Sequence, residues 1–159
     1  MKIIFFLFLF FLIVECPNIS FGNSGEASFY ASGNIFNDLL KAEIGTKPVI
    51  FITHSDGGNQ IKETLLYSKG LNVPENSLVK NTKGIIFFGT HPRIEEIEKE
   101  IKEDEELNIL PTFTFIEKDP KYPISRRKYQ ESHYCKEDIN SICKPNTKED
   151  EQYKKTIEW

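Results

Sequence analysis

Pro48-Val49-Ile50-Phe51-Ile52-Thr53-His54-Ser55-Asp56-Gly57-Gly58-Asn59 is the stretch on which the fold turns. Val49 to Thr53 are β-branched or aromatic and show no polar alternation, the pattern of a strand covered on both faces of a sheet. His54 to Asn59 is a tight polar loop rich in turn formers. Asn59 suits the N-cap of a helix carrying Ile61, Leu65 and Leu66. Gly70 stops that helix, and Lys69 complements its C-terminal dipole. After a loop with Pro74, Ile85-Ile86-Phe87-Phe88 reads as a second buried strand. Strand, helix and strand of this kind make a parallel βαβ unit.

Outward from that unit the pattern continues. Upstream, Phe36, Leu39 and Leu40 fall at i, i+3 and i+4 of a helix over Asn34–Glu43, with Gly45 as its stop. Residues 23–33 read as a loose arm. Downstream, Ile94, Ile97 and Ile101 mark one helical face, and Glu103 to Glu106 is its solvated acidic end. In Leu110-Pro111-Thr112-Phe113-Thr114-Phe115-Ile116 phenylalanines alternate with threonines, which predicts a strand half exposed or near an edge. From Glu117 the chain is charged and punctuated by proline. The organisation expected is a leader over 1–22, an arm and helix over 23–47, an α/β core over 48–116, and a charged extension over 117–159.

Composition sets bounds. The 159 residues carry a net charge of -4, 39% hydrophobic and 28% charged residues. That suits one domain, excludes a transmembrane bundle, and argues against a nucleic-acid partner, which calls for basic surface. Ile3 to Val14 is an uncharged apolar run, too short to span a bilayer, which takes about 20 residues. With Lys2 before it and Ser20 and Gly22 flanking Phe21 behind it, it reads as a signal peptide cleaved after Gly22. The expected location is periplasmic or secreted, with no stable membrane span after cleavage. Cleavage removes Cys16 and leaves Cys135 and Cys143, an even count that in an oxidising compartment predicts one disulfide.

The order strand, polar loop, helix, strand, helix and Leu110-Pro111-Thr112-Phe113 strand resembles the thioredoxin-like fold, a small mixed sheet flanked by helices. The resemblance implies that the Leu110–Pro111 bond is cis and that Pro111 faces Ser55-Asp56-Gly57-Gly58. No cysteine stands in that loop, so thioredoxin chemistry there is excluded. An exported thioredoxin-like domain without Cys-x-x-Cys is similar to the F-type TrbC family of conjugative pilin assembly. That likeness implies a non-catalytic part in assembling a conjugative type IV secretion or pilus apparatus, with a protein of that apparatus as partner. His54, Ser55, Pro111 and Thr112 would then line its docking groove.

Other constellations lead less far. His54 and His91 follow predicted strands, at the sheet edge where α/β folds bind ligands. His54 beside Ser55 suggests base and nucleophile, but neighbours on a strand end point to opposite faces, and no Gly-x-Ser-x-Gly elbow is present. Gly57-Gly58 is not followed by Gly-Lys-Ser/Thr, so it is a turn and not a phosphate loop. His133, Cys135 and Cys143 match no standard zinc spacing. No metal and no cofactor is expected. The alternative function is a thiol–disulfide oxidoreductase or metal-binding protein using Cys135 and Cys143.

Overall fold

A computed structural model describes residues 24–71, 77–90, 95–117, 130–136, 141–143 and 147–159. The expected signal peptide and its cleavage site lie outside the described residues, as does His91. Among the described residues the chain is α/β, with a four-stranded parallel sheet flanked by helices. The order is α1 (Ser24–Lys41), β1 (Val49–His54), α2 (Gly57–Gly70), α3 (Ser77–Asn81) and β2 (Thr82–Phe88). Then come α4 (Glu95–Glu103), α5 (Glu105–Asn108), β3 (Thr112–Ile116), β4 (Gln130–Tyr134) and α6 (Glu151–Glu158). The strands lie in the order β1-β2-β3-β4.

Side chains alternate between two cores. Ile85 and Phe87 of β2 join Phe36, Leu65, Leu78, Val79, Ile101 and Leu107 under the crossover helices. Ile86 and Phe88 point the other way, into a cluster with Phe113, Phe115, Cys135 and Ile142. Phe115 is fully buried and stacks on Phe88 at 4.4 Å between ring centroids. The C-terminal Trp159 closes this second core against Phe113. Its ring occupies the space that a side chain at Gly84 would take.

Several expectations are corrected. The sheet is all parallel among the described residues, not mixed. The arm before Asn34 is the start of α1, which begins at Ser24. β1 is an edge strand here, with Ile50 about half exposed. β3 is buried throughout, because β4 pairs along its other edge and both faces are covered. Thus the charged extension supplies a strand. Among the described residues no peptide bond is cis, so Leu110–Pro111 is trans. The extended backbone favoured before a proline leads straight into β3, and the Pro111 carbonyl accepts from the Ile85 N–H at 3.1 Å.

The expected disulfide is also absent: Cys135 and Cys143 are not bonded to each other. Cys135 is buried in the second core and Cys143 packs at its margin, so both act as small apolar side chains.

Two lysines of α2, Lys62 and Lys69, tie it by ion pairs to the elements below it. Lys62 Nζ meets Glu98 Oε1 at 2.6 Å, with both side chains nearly buried, and lies 4.8 Å from the centre of the Phe87 ring. Lys69 Nζ reaches Asp104 at 2.8 Å and Glu106 at 2.9 Å. Asp104 also caps α5, accepting from the Glu106 and Leu107 amides. Burial alone would raise the Asp104 pKa, but the bonds from Lys69 and the Leu107 amide outweigh it and hold the carboxyl below its usual range. Burial likewise works against the charge on Lys69, yet its two carboxylate partners hold it above its ordinary value. A depressed carboxyl stabilises the fold above its unfolded pKa, near pH 4, and loses that contribution as pH falls through the folded value. Asp104→Asn should therefore lower the unfolding free energy at pH 7 by up to about 1 kcal/mol, read as a lower urea midpoint. The gap to wild type should close as the pH is taken below about 4.

Candidate active site

The C-terminal edge of the sheet carries the arrangement with most chemical content. β1 ends at His54, and α2 begins at Gly57. Only Ser55 and Asp56 make the turn. Ser55 sits at φ 49°, in the left-handed region, which few residues other than glycine enter and which often marks a functional constraint. In serine hydrolases the nucleophile elbow is a serine on a sharp turn from a parallel strand into a helix.

The turn is held by the neighbouring strand. The Ser55 N–H donates to the Phe88 carbonyl at 2.9 Å. The Ser55 carbonyl accepts from Thr90 Oγ1 at 2.8 Å and from the Gly58 N–H at 3.3 Å. Gly89, at φ 58°, turns the chain after β2 and donates to the Phe115 carbonyl at 3.0 Å. Gly58 is required by space: a Cβ there would lie well inside van der Waals contact of the Thr90 side chain and 2.8 Å from the Phe87 ring. Asp56 enters α2 and accepts from Asn59 Nδ2 at 3.3 Å.

Sequence reasoning set the hydrolase arrangement aside because His54 and Ser55, as neighbours, point to opposite faces, and because no Gly-x-Ser-x-Gly elbow is present. Thr53 stands where that elbow has its first glycine, buried, with its hydroxyl on the Ile86 carbonyl at 3.1 Å. The usable signal was Thr53-x-Ser55-x-Gly57-Gly58 placed between a buried strand and a helix, since the strand–turn–helix context defines the elbow.

The other expected site residues are scattered by the register. His54, Phe88, Phe115 and His133 lie in one row across the sheet, so His54 and His133 are three strand spacings apart, about 14 Å. His133 Nε2 lies 3.3 Å from Glu151 Oε1 at the start of α6, and its ring meets the Phe115 edge. Glu117, just past β3, is buried at the same edge as Ser55. Pro111 and Thr112 open β3 at the opposite end, where Thr112 pairs with Ile85. Pro111 there lines an open cleft of about 450 Å³ with Val79, Lys80, Lys83 and Leu107. Among the described residues no three His, Cys, Asp or Glu side chains are grouped to hold a metal ion.

Part of the chain is similar to curated vertebrate proteins. It is 35% identical over 74 residues to Protein SERAC1 of Danio rerio, a match covering 46% of this chain and 11% of that protein. It is 40% identical over 60 residues to Protein SERAC1 of Mus musculus, covering 37% of this chain and 9% of that protein. The matched stretch thus spans about a tenth of the length of these relatives. No family model matches the chain, and no solved structure matches it. These relatives are eukaryotic proteins and not conjugation proteins, which overturns the pilus-assembly function and its expected secretion-apparatus partner. The alternative of a thiol oxidoreductase or metal-binding protein rested on Cys135 and Cys143: Cys135 is buried in the second core, Cys143 packs at its margin, and the two are not bonded to each other.

Gly58→Ala tests the close approach of α2 to Thr90. The added methyl should cost about 1–3 kcal/mol through overpacking, read as a lower urea midpoint.

Proposed function

We propose that this chain carries the nucleophile portion of a serine hydrolase-type site acting on acyl esters, with Ser55 as the attacking residue. The observation that carries this reading is the left-handed Ser55 on the two-residue turn between β1 and α2. Attack by Ser55 Oγ forms a C–O bond, gives up the hydroxyl proton to solvent and moves the carbonyl π pair onto oxygen; as that pair returns, the ester's own C–O bond breaks and the alkoxide takes a proton from water and leaves as the alcohol. The backbone N–H after the nucleophile, that of Asp56, is the donor which an elbow presents to such an oxyanion.

Chain order supports the reading too, since hydrolases of this kind run serine, carboxylate, histidine, and Ser55, Glu117 and His133 follow that order at one edge of the sheet. His133 is nevertheless about 14 Å along the row from His54 and engaged with Glu151. In this arrangement it does not take the Ser55 proton, and stoichiometric acylation or phosphonylation is the informative reaction.

The thioredoxin-like reading draws support from the order of strands and helices alone. The parallel, consecutively ordered sheet and the trans Leu110–Pro111 bond favour the elbow reading over it.

A fluorophosphonate probe tests the proposal. Ser55 Oγ displaces fluoride from phosphorus, one O–P bond forming as the P–F bond breaks and the hydroxyl proton passing to solvent. Peptide mapping should place the adduct on Ser55, and Ser55→Ala should abolish it. No adduct on folded wild-type protein, or an equal adduct in Ser55→Ala, would overturn the reading.

A further inference from the structure

The turn at Ser55 poses a question of orientation. A trans peptide is planar, and its C=O and N–H point in opposite directions. The Ser55 carbonyl and the Asp56 N–H belong to one such plane. Whatever holds the carbonyl therefore sets the direction of the N–H.

The carbonyl is held chiefly by Thr90. Its bond from Thr90 Oγ1 is 2.8 Å, against 3.3 Å for the bond from the Gly58 N–H. Thr90 is 5% exposed, so water competes little for that hydroxyl. It is also poised from a rigid base. Gly89 turns at φ 58° and is tied to Phe115 of β3, and the missing side chain at Gly58 leaves the room that Thr90 fills.

We propose that Thr90 is a positioning residue for the oxyanion donor. By holding the Ser55 carbonyl inward, its hydroxyl turns the Asp56 N–H outward, toward the place where negative charge develops on an attacked acyl group. This rests on the reading of Ser55 as the nucleophile. Thr90 touches no reacting atom and acts through the peptide plane. Donors that are already aimed stabilise a transition state without reorganisation, and losing one outright costs about 100–1,000-fold in rate. Loosening one costs less, about 10–100-fold.

The full chain, a fluorophosphonate probe and three substitutions separate the possibilities. Thr90→Val keeps the shape and loses the hydroxyl, whereas Thr90→Ser keeps the hydroxyl and loses the methyl. The rate of Ser55 labelling should fall about 10–100-fold in Thr90→Val and stay within about threefold of wild type in Thr90→Ser, while urea midpoints report folding separately. A purely structural role would make labelling follow stability and not the hydroxyl. Should Thr90→Val fail to fold, Thr90→Ala against Thr90→Ser makes the same comparison at smaller volume. Folded Thr90→Val that labels at the wild-type rate on Ser55 would overturn the role of Thr90 and leave the nucleophile reading intact. Wild-type protein that never labels at Ser55 would overturn both.

Discussion

β2 is the strand from which the rest of the structure hangs. Thr82–Phe88 pairs in parallel on both edges and is covered on both faces. Its alternate side chains feed two separate cores, so neither layer can move without disturbing the other. Its C-terminal end then does a second job. The Phe88 carbonyl takes the Ser55 N–H, and the next two residues turn back to anchor to β3 through Gly89 and to the Ser55 carbonyl through Thr90. Both backbone polar groups of Ser55 are thereby satisfied by the end of β2 and the residues just after it, which is what allows a two-residue connection to be tight and partly buried.

Among the described residues two non-glycine positions take positive φ, and the contrast between them is instructive. Glu43, at φ 57°, follows α1, and the turn there is closed locally: the Ile44 N–H returns to the Leu39 carbonyl at 2.9 Å. That is how helices commonly end. Ser55 is held by residues more than thirty positions away in the chain. Strain of about 1–3 kcal/mol at such a position persists only when the surroundings over-determine it. Phe88, Thr90 and the close approach at Gly58 are those surroundings.

The second core explains the cysteines and the tail together. Beyond Glu117 the sequence is polar, yet Gln130–Tyr134 pairs with β3 and delivers Cys135 to the apolar cluster. α6 follows, with Glu151 at the His133 end and Trp159 over Gly84 near the other end of the sheet. The tail is thus a second layer lying along the sheet. Residues that appear to form a docking groove in the linear order, Ser55 with Pro111, are parted because parallel strands put the start of β3 and the end of β1 at opposite ends.

Local sequence determined the elements whose apolar pattern is unbroken. Val49–Thr53 and Ile85–Phe88 are apolar without alternation, and the helix carrying Ile61 and Leu65 has clear limits, so the parallel βαβ unit was legible from periodicity alone. The Thr112–Ile116 strand was legible as a strand but not in its burial, because its threonines are covered by neighbours from elsewhere in the chain. β4 was not legible at all: Gln-Glu-Ser-His-Tyr has no apolar face, and only an open edge on β3 makes it a strand. The same holds for the site. Ser55 and Gly58 stand out as residue types, but the left-handed turn at Ser55 exists because Phe88 and Thr90 arrive beside it. That meeting depends on the register of β1 against β2, a long-range pairing that no local pattern encodes.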